Sequence, residues 1–303
     1  MLNLRIATLT SVALLSTLHL HLANATENGA TEHPVGVNTS LNGLVPDPGQ
    51  TYMFNYTLFY RAEHFNDANG KSAVPKFHVE MVVDAPRVLH TWEATLGPFT
   101  LTSGAIFPIF HQQLAIAGRQ QTKNALGDII LHPLYLGYVN QAHNFFTVVA
   151  PFDISLPTGD YDKNRIANPG QNHVTFLPNI LSTWFPAPRV EVSTAFTAEF
   201  FTKNHATDYQ SGTVLSTEAM VGYSLTPTWQ VAIQGYYSKQ VSDDKWQGET
   251  YQNGFRGQVA ALGPQIRYNF TPRSAMVLKY QHEFAAENRS EGDKVMLQFA
   301  FPI

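Results

Sequence analysis

Residues 226–244 read TPTWQVAIQGYYSKQVSDD. From Trp229 onward, Val231, Ile233 and Tyr237 fall on one parity, and Gln230, Gln234, Ser238 and Gln240 fall on the other. Successive side chains of an extended chain point to opposite faces, so this is a long strand with one oily and one wet face. A soluble sheet takes such a strand by hiding the oily face in a core. A membrane barrel takes it by turning the oily face outward to lipid.

The same alternation recurs along the chain. Val190, Val192, Thr194, Phe196, Ala198 and Phe200 alternate with Glu191, Ser193, Ala195, Thr197 and Glu199. Leu215, Thr217, Ala219, Val221, Tyr223 and Leu225 alternate with Ser216, Glu218, Met220, Gly222 and Ser224. Leu262, Ile266, Tyr268 and Phe270 oppose Gln265 and Arg267, and Met276, Leu278, Tyr280 and Phe284 oppose Lys279, Gln281 and Glu283. The last strand sets Val295, Leu297, Phe299 and Phe301 against Lys294 and Gln298. Near the start, Tyr52, Phe54, Tyr56, Leu58 and Tyr60 oppose Asn55, Thr57 and Arg61, which predicts that the tyrosine row faces lipid.

The connections differ by side. Short turns at 140–143, 186–188, 226–227 and 271–272 alternate with longer polar segments at 65–76, 112–127, 157–173, 202–212, 242–254 and 287–293. Tight turns on one rim and long loops on the other are the sidedness of an outer-membrane barrel. Counting between connections gives about twelve strands, with a turn expected somewhere between Asp84 and Glu93 near Pro86. The fold class is therefore all-β, a transmembrane antiparallel β-barrel of outer-membrane type over residues 51–303. A β-sandwich also alternates, but its strands are shorter and its loops mix lengths at both ends.

Residues 1–5 carry one positive charge, residues 6–18 are mostly apolar, and Ala23-Asn24-Ala25 offers small residues for signal peptidase. That predicts a secretory signal over residues 1–25, cleaved after Ala25. Removing Arg5 with it takes the formal charge from −4 to −5, and the absence of a basic patch argues against a nucleic-acid partner. There are no cysteines, so no disulfide, thiolate metal site or cysteine nucleophile exists. Charged residues are only 14% of the chain and aromatic residues 12%, a membrane-leaning composition. Residues 26–50, rich in Gly, Asn and Pro, are either a periplasmic leader or a plug that enters the lumen. A carrier of hydrophobic solutes needs a barrier against leakage, which favours the plug.

Catalytic and metal signatures are sparse. Gly70-Lys71-Ser72 lacks the earlier glycine of a phosphate loop, since position 65 is Phe65. Asp160–Asn164 resembles the start of a calcium loop, but Arg165 and Gln171 stand where that loop needs Gly and Glu. No G-x-S-x-G elbow or H-E-x-x-H pair occurs, and His282, on the expected outer face, has no nucleophile beside it. No catalytic residue, metal or cofactor is expected. A charge facing lipid at the midplane costs roughly 2–4 kcal/mol, so Glu191, Glu199, Glu218, Arg267, Lys279 and Glu283 should face the lumen, with Gln230 and Gln234 beside them. They line a polar permeation path, or they pair across the lumen as a structural network. In the first half, Val149 and Pro151 beside Thr147 and Asp153, with Phe145, Phe146 and Phe176 nearby, suggest a less polar inner wall.

The segments ALGDIILHPLYLGY (125–138), SLPTGDYDKNRIANPGQN (155–172), ATDYQSGTVLSTEAMVGY (206–223), LGPQIRY (262–268) and ENRSEGDKVMLQFAFPI (287–303) resemble the outer-membrane β-barrel proteins of the meta-pathway phenol degradation and transporter family. The likeness includes residues 27–49 and covers most of the mature chain. It implies a Gram-negative outer-membrane channel for passive uptake of small hydrophobic or aromatic compounds, phenol-like or lipid. Its expected partners are outer-membrane lipids, the barrel-assembly machinery and the small hydrophobic solute. A structural or adhesive barrel with a filled lumen and a lipid-modifying barrel enzyme are the alternatives.

Overall fold

The computed structural model describes residues 31–303, so the signal and cleavage reading lies outside the described residues. The first segments are β1 (Thr51–Phe65), β2 (His78–Leu96), β3 (Phe99–Ile106), β4 (Ile109–Ile116), β5 (Arg119–Leu126), β6 (Ile129–Val139) and β7 (Phe145–Ala150). There follow β8 (Ile154–Leu156), β9 (Thr175–Phe176), β10 (Asn179–Ala187), β11 (Val190–Phe201), β12 (Tyr209–Gln210), β13 (Val214–Ser224) and β14 (Trp229–Gln240). The chain ends with β15 (Lys245–Trp246), β16 (Glu249–Thr250), β17 (Gln258–Thr271), β18 (Ser274–Glu287) and β19 (Ser290–Pro302).

Sixteen of these segments make one antiparallel sheet that closes where β19 pairs with β1. Short breaks divide four staves in two, so β3–β4, β5–β6, β7–β8 and β9–β10 are each one stave and the barrel has twelve. Closure leaves no edge, which satisfies the backbone amides in hydrocarbon, where no water can. The remaining β12, β15 and β16 form a small three-stranded sheet in the loops above the rim. Turns at 97–98, 140–144, 188–189, 225–228 and 272–273 share one rim with Thr51 and Ile303, and the longer loops share the other. By the sidedness of such barrels the first rim is periplasmic.

The opening stretch sits as its alternation requires. Ile233 on β14 is 65% exposed on the lipid face and its neighbour Gln234 is 1% exposed inside. Near the periplasmic rim the outward rings of Trp229, Tyr268 and Phe270 lie 4.7 and 5.0 Å apart in series. They form part of the aromatic girdle that sits at the membrane interface.

The barrel departs from the alternation pattern in three places. On β1, Tyr56, Leu58, Tyr60 and Ala62 are buried inside while Phe59 is 47% exposed outside, so the tyrosine row faces the lumen. Both faces of this strand carry large apolar groups, and hydrophobicity alone cannot set its parity. Next, β2 runs unbroken through Pro86, because that residue sits in a paired stave opposite Asn55 with its carbonyl taken by the Phe107 amide. The turn comes at Gly97-Pro98 instead. Finally, residues 112–127 and 287–293 are mostly strand: β4 and β5 meet at Ala117-Gly118, and β18 and β19 at Asn288-Arg289. Positive φ angles at Ala117, Gly118 and Asn288 make those tight reversals.

Candidate solute channel

Residues 31–50 run down the interior along the arc of β11, β13, β14, β17, β18 and β19, and the buried charges of that arc hold them. Glu199 accepts the backbone amides of Glu32 at 2.9 Å and His33 at 3.1 Å. Glu218 accepts His33 Nε2 at 2.6 Å, Gly36 N at 2.9 Å and Asn38 N at 2.7 Å. Lys279 donates to the carbonyls of Gly36 and Val37 and to Thr39 Oγ1, and Gln281 also donates to Gly36 O. Lower down, Arg267 donates to Ser40 Oγ and Glu191 accepts Leu41 N. The segment then reaches Thr183 through the Gly43 amide, where a side chain would collide with the Phe146 carbonyl, and meets the rim where Gly49 N bonds Thr91 O. Gly36 has φ +99°, a turn that lets two successive carbonyls face Lys279.

All eight residues singled out from the sequence face this interior. Glu191, Glu199, Glu218, Lys279 and Arg267 contact the N-terminal segment directly. Glu191 also takes Arg267 Nη1 at 2.6 Å and Gln230 Nε2 at 2.9 Å, and Gln234 pairs with Gln281 and the Tyr280 carbonyl. Glu283 is held by Lys294 at 3.1 Å and by the hydroxyls of Tyr60 and Tyr236. In a low-dielectric interior an unmet charge is costly, and each of these is met by an opposite charge or by polar groups of the N-terminal segment. Sequence reasoning left Lys294, Gln281 and Gln265 out of the group, although the same inward parity marks each of them.

The opposite arc is apolar. Tyr56, Leu58, Val79, Val83, Ala85 and Leu114 are buried on the inner faces of β1, β2 and β4, with Ile106 and Phe110 packed against them. Between this wall and the N-terminal segment lies a cavity of about 1460 Å³. It extends from loop residues such as Asp67, Tyr251 and Arg289 down to the level of Arg87. Below it, Leu89, Tyr135, Val148, Ala150, Leu181 and Ala195 pack with Val45 of the N-terminal segment and form a floor. The first half of the barrel thus does carry an oily wall, made by residues other than those the alternation suggested. Val148 and Ala150 point in rather than Val149, and Phe176 is 47% exposed outside.

A polar cluster sits at the foot of the cavity. Arg87 donates to the hydroxyls of Tyr56 and Tyr135, between the rings of Phe54 and Tyr135. Tyr135 donates to Asp153 Oδ2 at 2.9 Å, and Asn179 Nδ2 and His132 Nδ1 reach the same oxygen at 3.0 and 2.9 Å. No local pattern marks this group, because its members come from four staves.

The outer loops are fixed by their own charges. Arg165 and Lys123 hold the Asp160 carboxyl down at about 2, so the calcium-like stretch has its first carboxylate already neutralised by cations. Burial pushes the His173 imidazole down to about 4, with the Phe201 ring standing perpendicular to it at a centroid separation of 5.6 Å. Burial pushes the Asp244 carboxyl up to about 6, against hydrogen bonds from Tyr209, Gly212 N and Gln240. His282 lies on the outer face, 2.9 Å from Asp293. Among the described residues no three His, Asp or Glu converge as metal ligands.

Among solved structures, the COG4313 outer membrane channel from Pseudomonas putida F1 superposes with a TM-score of 0.75 at 18% identity, over 88% of this chain and 100% of that one. The β domain of the Bordetella autotransporter BrkA gives 0.50 at 10% identity, covering 85% and 100%. The transport unit of the autotransporter AIDA-I from Escherichia coli gives 0.50 at 6%, covering 85% and 91%. At these identities the likeness establishes the fold, an outer-membrane barrel. No curated protein sequence matches the chain. The family model described as "Putative MetA-pathway of phenol degradation" matches residues 62–299, from the end of β1 to within β19, and the chain belongs to that family.

Proposed function

We propose that this barrel is a passive outer-membrane channel for small hydrophobic or aromatic compounds. The observation that carries this is the two-sided lumen: an oily wall on β1, β2 and β4 faces a polar arc whose charges are occupied in holding residues 31–50. A filled structural barrel would leave no interior of about 1460 Å³, which exceeds an ordinary small-molecule site. Solute moves along the oily wall, where contact is apolar, weak and repeated, so release is as easy as entry. The N-terminal segment and the Val45 floor act as the plug against water and ions. The P. putida relative is an outer membrane channel, and the family description concerns phenol degradation, both in keeping with this reading.

Residues 1–25 are the export signal in this proposal, cleaved after Ala25, which N-terminal sequencing of the purified protein checks. The lipid face and aromatic girdle mark outer-membrane lipids as the surroundings, and the barrel-assembly machinery as the route of insertion. The test of function is uptake of radiolabelled toluene by vesicles rich in lipopolysaccharide, a bilayer slow to such solutes by itself. The wild-type barrel should speed uptake, and Val83→Asp on the oily wall should slow it about tenfold by holding water there. Uptake that ignores the protein refutes the proposal.

A further inference from the structure

We propose that the cluster at the foot of the cavity binds the hydroxyl group of neutral aromatic solutes, with Asp153, His132 and Asn179 offering the acceptors. The inference rests on the channel reading above and deepens it by naming what the channel prefers.

The cluster exists because the wall is interrupted there. The ladder of β6 is intact at Leu131↔Ile154 and again at Leu136↔Val149, and no pair is formed between them. Pro133 and Pro151 fall in the two facing stretches and remove an amide donor from each. Across the gap the inward parity slips, so that both His132 and Tyr135 of one stave, and Ala150 and Asp153 of the next, turn into the lumen. Asp153 and His132 are only 3% and 6% exposed, yet both line the cavity.

Its hydrogen bonding is unbalanced. Asp153 Oδ2 takes Tyr135, Asn179 and His132, whereas Asp153 Oδ1 has no partner. Asn179 spends its amide hydrogens on Asp153 and the Leu177 carbonyl, which fixes its orientation and leaves Oδ1 free. With the Tyr135 hydroxyl hydrogen given to Asp153, His132 Nδ1, 3.0 Å from that hydroxyl and 2.9 Å from Asp153 Oδ2, carries the hydrogen of a neutral ring, and Nε2 is left bare and without a partner. On the donor side, each terminal nitrogen of Arg87 gives a hydrogen to a tyrosine hydroxyl, and Nε is the one nitrogen of the group with no partner. Three buried acceptor atoms without any partner, against one such donor nitrogen, make a place that a donating ligand completes. A phenolic hydroxyl does so, and its ring then lies against Ile106 and Ile130, which pair with each other and flank Arg87 and His132 in the register. A carboxylate has no proton to give and meets the Asp153 charge. Toluene leaves the acceptors as they are.

The cluster could serve only to patch the broken ladder, and solute preference separates the two roles. The measurement is titration calorimetry of the full detergent-solubilised chain with phenol, toluene and benzoate, corrected for micelle partition, beside uptake of phenol and toluene by the lipopolysaccharide vesicles. The expected result is phenol binding ten- to a hundredfold tighter than toluene and benzoate weakest of the three. Asp153→Asn, which puts a donor in place of an acceptor, should erase most of phenol's advantage. If that variant loses folded migration on gels, the wild-type ratio of phenol to toluene decides alone. Equal binding of phenol and toluene overturns the subsite, and the channel stands if both solutes still cross. Preferential phenol binding without uptake of either solute keeps the subsite and overturns the channel.

Discussion

Glu218 is the central mooring of the N-terminal segment, and its removal tests what the buried charges do. Three donors from residues 33–38 converge on its carboxylate at 2.6–2.9 Å. A hydrogen bond to a charged group contributes about 1.5–3 kcal/mol, so Glu218→Ala should cost the docked segment on the order of 5 kcal/mol. That is enough to raise the undocked population of residues 33–38 by roughly several thousandfold. The flanking moorings at Glu199, Lys279 and Glu191 remain, so the segment should lift at its middle and not leave the barrel. The chain has no cysteine, so Asn38→Cys supplies one reporter thiol in both backgrounds. Maleimide labelling of that thiol should accelerate strongly in the Glu218→Ala protein, and single-channel conductance in planar bilayers should rise with it. Glu218→Gln, which keeps one acceptor oxygen, should fall between. Unchanged labelling and conductance would mean that this carboxylate does not hold the segment, and the assignment of the polar arc as a mooring would fail.

Three further outcomes follow from the same structure. Ile233→Arg places a charge on the lipid face at a cost of roughly 2–4 kcal/mol near the midplane, and should reduce the folded fraction on heat-modifiability gels where Ile233→Val does not. The depressed His173 value, about 4 against an ordinary 6.5, means that its contribution is fully present above pH 6.5 and lost as pH falls through 4. Loop 157–174 should therefore lose about 3 kcal/mol of protection on acidification, read by hydrogen exchange, and His173→Leu should remove that dependence. Asp244, raised to about 6, acts in the opposite sense: its contribution is present below an unfolded value near 3.9 and fades as pH rises through 6. Proteolysis within residues 242–254 should accordingly be slower at pH 5 than at pH 7.5, with Asp244→Asn abolishing the difference.

The second half of the barrel was legible because each strand there has one face of each kind. Glu191, Glu218, Gln234 and Lys279 are incompatible with lipid, so their parity fixed the orientation of every neighbour. On β1 no charge occurs between Thr51 and Tyr60, and on β2 the two mid-strand charges disagree, since Arg87 turns into the lumen while Asp84, on the other parity, bonds Asn55 and Thr57. Leu58 and Phe59 are adjacent, one inside and one outside, and neither is barred from either place. The alternation therefore assigned the tyrosine row to lipid and concealed the oily wall of the lumen. Pro86 misled for a related reason, since proline in a paired stave is rare and its usual meaning is a turn. The role of the charges needed structure as well. Their inward direction follows from cost, but what they grip is a segment more than a hundred residues away in sequence, held largely by backbone groups that no side-chain pattern reveals. The cluster of Arg87, His132, Tyr135, Asp153 and Asn179 is likewise assembled by a gap in the ladder, visible only once the register is known.

The central claim is that aromatic solutes travel along the wall made by Leu58, Val83 and Phe110. Anomalous diffraction from crystals soaked in bromobenzene locates such a solute directly. The account predicts bromine peaks inside the barrel against that wall. Peaks confined to the arc of Glu191, Glu218 and Glu283, or found only on the outer face, would contradict it.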